Sequence, residues 1–278
     1  MNDKERNKRF NKARREQIKH KARIFTDTRK ELIKLLSTAE KSIIATLAGA
    51  PTEWETFFLP ELQRSINQAM NTFADGYSVA ILEASNKMKV AGVALIDAPL
   101  AAGGATVATY LPQVSIRQLA AMRSFMTDRI LDIGLSTANK INSELGLVAI
   151  GAQPQSVAVS NIQRLLKNGS RQRAITIART ELGRVYSMAT DERLRQARKL
   201  VPGLKKKWLK SGKLHSRTGH DAINGQVRDV DKPYTLPSGK QLMYPRDPAA
   251  PAAETINCGC DSLPYVEQWN SAKIPLAA

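Results

Sequence analysis

The residues best suited to chemistry lie in the last third of this 278-residue chain. His215, Arg217, His220, Cys258 and Cys260 fall there, and these are the only two cysteines in the sequence. An H-x4-H pair, followed 38 residues after His220 by C-x-C, offers four donors of the kind zinc takes, imidazole nitrogen and thiolate sulfur. The C-x-C is tighter than the C-x2-C of zinc fingers and requires a sharp turn at Gly259. The plain alternative is two cysteines buried as small hydrophobes, with surface histidines and no cofactor. His215, Arg217 and His220 also resemble the base, charge clamp and hydrogen-bond donor of metal-free RNA cleavage. The spacing contains no Ser–His–Asp arrangement, P-loop or paired metal-binding carboxylates. No residue is therefore assigned a catalytic role.

The elements that would position these residues divide into two textures. Leu32, Leu35, Leu36, Ala39, Ile43, Ile44 and Leu47 recur at three- and four-residue spacing and predict a helix. Thr52-Glu53-Trp54-Glu55 has capping-box form and predicts a helix start, with Pro60 interrupting or restarting helical pattern that runs to about residue 89. Ser115-Ile116-Arg117-Gln118 is a second such box, opening a helix through Ile133 and Leu135 towards Leu145. A short helix is expected at 156–167, stopped by Asn168-Gly169. The next, at 171–200, carries Ala178, Leu182, Val185, Tyr186 and Ala189 on one face and ends at Pro202-Gly203. Beyond it the chain is dense in Gly, Pro, Asn and Asp, leaving room for short strands and turns, with a hairpin at Leu236–Leu242. The fold class expected is mainly α, a helical N-terminal body followed by a small α+β C-terminal domain. Its divisions are a basic arm at 1–24, a helical domain at 25–200 and a C-terminal module at 201–278. The almost uncharged stretch Val90–Pro112 approaches the length of a membrane span, but Asp97, Pro99 and Gly103-Gly104 favour a buried helix end followed by a loop, so no membrane insertion is expected.

Charge narrows the class of partner. Lys and Arg total 42 against 25 acids, a formal net charge of +17. Residues 1–24 hold ten of those cations and three acids, and residues 171–220 hold fourteen and three. The rest of the chain is nearly neutral. Cationic blocks of this kind attract polyanions, and counterion release makes such binding weaken steeply with salt. Lys205, Lys206, Lys207, Lys210 and Lys213 are the candidate polyanion-binding residues.

Ala178-Arg179-Thr180-Glu181, Trp208, Arg217-Thr218-Gly219-His220, Ile223-Asn224-Gly225-Gln226, Tyr244-Pro245-Arg246-Asp247-Pro248 and Asn257-Cys258-Gly259-Cys260 follow one another in order. In that order and spacing the chain resembles the phage Mu protein F-like family of head morphogenesis proteins, the minor head proteins of tailed phages. The resemblance covers about residues 171–260. The preceding residues match only in being helical. Two departures stand out: Gly259 replaces an arginine usual between the cysteines, and His215 stands where an acidic residue is common. The resemblance implies a structural virion component, made in the host cytoplasm and placed in the head interior or near the portal. Its implied partners are portal and capsid proteins, packaged DNA bound without sequence preference, and a scaffold. Some relatives of the domain occur as toxin modules, and its grouping with metal-independent ribonuclease-like folds keeps a nuclease as the alternative. A zinc-stabilised nucleic-acid-binding module, with His220, Cys258 and Cys260 as ligands, is a second alternative. Arg179, Glu181, Trp208, Arg217, Asn224, Gly225, Asp247 and Asn257 are the motif residues with structural roles. Glu181 is expected to pair with Arg184 or a tail residue, and Asn257 to hold the turn before Cys258 through side-chain to backbone hydrogen bonds.

Overall fold

A computed structural model describes residues 2–50, 58–105, 107, 112, 116–212 and 216–269. Both capping boxes lie outside the described residues, the first wholly and the second at Ser115. Five long or medium helices come first: α1 (Asp3–Gly49), α2 (Leu59–Ala102), α3 (Ile116–Ala149), α4 (Gln155–Arg164) and α5 (Arg171–Arg198). A small mixed region follows, with β1 (Leu204–Leu209), α6 (Thr218–Ala222), β2 (Val227–Asp229), β3 (Tyr234–Thr235), β4 (Gln241–Leu242), α7 (Ala252–Thr255) and β5 (Asp261–Val266). The protein is thus mainly α, a long helical body followed by a small α+β C-terminal region. No helix among the described residues is long and apolar enough to cross a membrane.

The chain forms two compact units. One comprises Thr26–Glu83 and Ala120–Ala178, the other Met1–Phe25, Ala84–Leu119 and Arg179–Ala278. In the first, buried residues repeat at helical spacing: Leu32, Leu36, Ala39 and Ile43 on α1, and Ile66, Met70, Phe73 and Tyr77 on α2. Ile133, Ala138, Ile141 and Leu145 do the same on α3. Side chains three and four residues apart share one face of a helix, so each contributes a single apolar stripe to a common core. Leu135, which the sequence places on the same helix, is 64% exposed. Tyr77 donates its hydroxyl to Ala174 O at 2.8 Å, tying α2 to the start of α5.

Asn168-Gly169 does not stop a helix. Residues Leu165–Ser170 form a wide π turn that passes directly into α5. Leu166 and Ser170 are buried, and the Ser170 hydroxyl shares a 2.8 Å hydrogen bond with that of Thr137. The inserted residue in a π turn resets the inward face without ending the helix. Tertiary packing overrides a local stop signal here.

The second unit holds residues 3–25 of α1, part of α2, most of α5 and the mixed region. The N-terminal stretch read as a basic arm is packed within this unit: Phe10, Lys21 and Ile24 are buried. The Phe10 ring meets Trp269 edge-on at 5.2 Å, within a core that includes Ile96, Leu100, Leu194, Leu204 and Val266. Asp97, which argued against a membrane span, takes two hydrogen bonds of 2.7 Å from Arg193. The sheet runs β2-β1-β5 with both pairings antiparallel, Lys206 opposite Arg228 on one side and Pro264 on the other. The hairpin at Leu236–Leu242 is β3–β4, turning at Gly239 with φ of 78°.

At Gly92, α2 and α5 approach so closely that a Cβ would lie 2.6 Å from Tyr186 O and 2.9 Å from Ala189 Cβ. A Gly92→Ala change is therefore expected to destabilise the chain by about 1–3 kcal/mol. A urea midpoint equal to wild type would contradict this close crossing.

Candidate functional site

The C-x-C turn is the centre of the candidate site, and α5 and β5 hold it from either side. Asn257 adopts φ of 55° and Arg246 φ of 68°, the left-handed conformation non-glycine residues rarely take. Such backbone persists where surrounding contacts over-determine it. The contacts on Arg246 are of that kind. Its side chain is 1% exposed and donates to Cys258 O at 2.7 Å, Cys260 O at 3.0 Å and Ser187 Oγ at 2.7 Å. Asp261 Oδ1 lies 3.4 Å from the same guanidinium and also accepts from Lys21 Nζ. Lys21 in turn sits over the Tyr186 ring at 4.8 Å. Burial pulls the Lys21 pKa down, with Asp261 opposing. α5, the C-x-C turn, β5 and α1 thus meet at one guanidinium.

His220 projects from α6 into this turn and is 1% exposed. Its Nδ1 lies 3.6 Å from both Cys258 Sγ and Cys260 Sγ, while its Nε2 lies 3.1 Å from Glu254 Oε2. Lys240 Nζ holds the other oxygen of Glu254 at 2.9 Å and, with its charge, draws the carboxyl pKa down. Trp208 packs edge-on against the His220 ring at 5.3 Å and against Tyr234 at 5.0 Å. Both cysteines are free thiols. The hydrogen bond from Cys260, followed by His220 and the Arg246 charge, pulls the Cys258 thiol well down, against the opposing effect of burial. Cys260 is pushed up by Cys258 and by burial. A cleft of about 280 Å³ borders the cluster, lined also by Ser211, Ser216, Arg217 and Asn257.

The other motif residues are joined to this region by hydrogen bonds. Glu181 Oε2 accepts from Arg184 Nη1 at 2.6 Å, the pairing expected from their spacing. Thr180 Oγ1 accepts from the Asn257 backbone N–H at 2.9 Å, and Arg179 Nη1 approaches Asn257 Oδ1 at 3.5 Å. These bonds tie the turn before Cys258 to α5. Arg217 donates to Ile256 O at 2.7 Å. Asn224 Oδ1 accepts from Lys210 N at 3.0 Å, and Gly225, at φ of 86°, donates to Trp208 O at 2.9 Å. Asp247 caps its own turn, accepting from Met243 N at 2.8 Å and Ala249 N at 2.9 Å.

Of the residues read as a nuclease set, Arg217 and His220 line the same cleft, with Arg217 donating to Ile256 O, and His215 lies outside the described residues. Lys213 does too.

Lys206 is a correction. It was read as polyanion-binding, but strand alternation turns it inward, and its side chain is fully buried. Its Nζ donates to Met243 O at 2.6 Å, lies 3.7 Å from Asp191 Oδ1 and sits over the Tyr234 ring at 5.1 Å. Lys205, with 36% of its side chain exposed, and Lys210, with 49%, remain on the surface. Lys207 lies along the Tyr265 ring at 5.6 Å.

Sequence reasoning also missed Arg246, Glu254, Lys21 and Asp261. A signal for Arg246 existed in its place between Pro245 and Asp247-Pro248, a segment rigid enough to hold an unusual backbone.

Among curated proteins, the chain is 36% identical over 98 residues to "NAD(+)--arginine ADP-ribosyltransferase EFV" of Enterococcus faecalis, covering 35% of this chain and 20% of that protein. It is 35% identical over 117 residues to "Uncharacterized protein YqbB" of Bacillus subtilis, covering 40% of this chain and 37% of that one. The chain thus spans about a fifth and somewhat over a third of the relatives it matches. No family model matches the chain, and no solved structure matches it.

Two expectations follow from the buried charges. Arg246→Ala leaves Asp261 without its guanidinium and three buried acceptors without a donor, which should cost roughly 3–5 kcal/mol in a denaturation experiment. Burial, outweighing the nearby Asp191, lowers the Lys206 pKa to about 8 from 10.5. Between those values the unfolded chain binds more protons than the folded one, so this residue's contribution to stability rises with pH. Between pH 8 and 10 the wild type should therefore gain about 2 kcal/mol relative to Lys206→Met. Parallel stability curves for the two proteins would contradict the buried cation.

Proposed function

We propose that this chain is a structural minor head protein of a tailed bacteriophage, acting in head morphogenesis near the portal or the inner capsid. Its C-terminal module serves as a fixture, and its exposed cations contact packaged DNA or an acidic protein partner. The observation that carries this reading is the interlocking of the motif residues with one another. Arg179 and Thr180 join α5 to Asn257 in the mixed region, Glu181 pairs with Arg184 along α5, and Arg246 binds the C-x-C turn from within. Side chains engaged in this way define a shape, whereas a turnover site keeps groups aimed at a place where a reacting atom can sit.

The name of the Enterococcus faecalis relative describes transfer of ADP-ribose from NAD(+) to arginine, but the match spans 20% of that protein. The cleft beside His220, of about 280 Å³, stands at the lower edge of the roughly 300–1,000 Å³ of sites that enclose small molecules and cofactors. The head-protein reading accounts for more of the surface as well. Lys205 and Lys210 lie at the surface in solvated pairs with Glu267 at 3.4 Å and Asp221 at 3.9 Å, and cations so weakly held can exchange to phosphate without reading bases.

The tagged full chain expressed during phage assembly should co-purify with mature heads or with portal complexes, and complete absence from both would refute the reading. On duplex DNA, binding that neutralises about six phosphates should fall by roughly a thousandfold between 50 and 200 mM salt. A Lys205→Glu, Lys210→Glu variant should bind more weakly and with a shallower salt slope. DNA affinity unchanged by salt would exclude the polyanion contact.

A further inference from the structure

We infer that Cys258 Sγ, Cys260 Sγ and His220 Nδ1 form a binding site for one thiophilic divalent cation, zinc above others, with Glu254 as its outer carboxylate and a fourth position opening on the neighbouring cleft. The three donor atoms all lie within 4.8 Å of one another. Bond lengths of about 2.3 Å to sulfur and 2.0–2.1 Å to nitrogen, at a tetrahedral angle, put sulfur and nitrogen about 3.6 Å apart. Both observed separations from Nδ1 are 3.6 Å.

Nδ1 faces two sulfurs at one and the same distance. A cation between the three would be bound by all of them at once, and two thiolates would balance its two charges.

The surroundings are those of a prepared site. A metal-bound histidine usually gives its far N–H to a carboxylate, which fixes the ring's tautomer and orientation. Glu254 occupies that place, held by Lys240. Arg246 takes the carbonyls of both cysteines, fixing the backbone that carries the sulfurs. Trp208 walls off the imidazole ring. Two sulfurs and an imidazole select zinc over magnesium or calcium, which take oxygen. Three protein ligands leave one position of a tetrahedron open, and the cleft lined by Ser211 and Arg217 borders that side. Water or a ligand from outside the chain would complete the set.

The inference stands apart from the head-protein reading, since neither requires the other. Full-length protein purified under reducing conditions without chelator should contain close to one zinc per chain by elemental analysis. Cobalt(II) added to the demetallated protein should give a thiolate-to-metal charge-transfer band. A Cys258→Ser, Cys260→Ser variant should lose both signals while keeping its helical circular dichroism. Glu254→Gln leaves all three ligands in place and should weaken zinc affinity roughly 10- to 100-fold, so it remains informative if the cysteine variant does not fold. A folded, reduced wild type that holds no zinc and gives no cobalt band would overturn the site. So would a Cys258–Cys260 disulfide in the native protein, or unchanged affinity in Glu254→Gln.

Discussion

Everything in the C-terminal region is organised around one buried guanidinium. Arg246 reaches two carbonyls of the C-x-C turn, a serine on α5 and a carboxylate at the start of β5. A planar donor with five N–H groups is the side chain that can serve so many acceptors at once. Removing it from water is costly, and the bonds at Nη1 and Nη2 offset that cost, while Nε is buried without a partner. The requirement extends outward. α5 must come close enough for Ser187 to be reached, and Gly183 permits it, since a Cβ there would lie 2.8 Å from Arg246 Cδ. Lys21 adds a second cation against the same Asp261, and burial holds its pKa down.

Where periodicity is enforced by packing, the sequence was readable. The stripe Leu32, Leu36, Ala39, Ile43, Leu47 is buried as its spacing implied, because a helix has one way to place those residues inside. The hairpin at Leu236–Leu242 was equally plain, since Gly239 supplies a positive φ that other residues resist. Asn168-Gly169 carried the same local signal, yet the chain continued through it. The difference lies in Leu166 and Ser170, whose burial within the first unit outweighs the preference of two residues to end a helix.

The site was legible in its donors and illegible in its connections. His220, Cys258 and Cys260 could be picked out by type, and the fold brings them together. Glu254 could not, because one carboxylate among 25 acids has no distinguishing mark until the ring nitrogen it faces is known. Lys206 shows the converse. In Lys205-Lys206-Lys207 the residue types read as one cationic patch, but a strand alternates its faces, so the middle lysine turns inward to Asp191 and Tyr234. Composition counts charges. Secondary structure decides which of them face water.

The scale of the C-terminal region explains why such devices accumulate there. β3 and β4 are two residues each and β2 three, so main-chain pairing alone gives them little stability. Its own apolar cluster is small: Trp208, Ile223, Tyr234, Leu236, Leu242 and the two cysteines. A region with so modest a core needs cross-links of another kind. Buried Arg246, the Lys206–Asp191 pair and the Glu254–His220–thiol relay each join segments far apart in sequence. A cation at the three donors would act in the same direction, since binding to the folded state alone adds directly to its stability. Charge inside this region is thus a substitute for missing hydrophobic area. Charge outside it, as at Lys210, sits half exposed beside Asp221 at 3.9 Å, where a solvated ion pair holds only weakly.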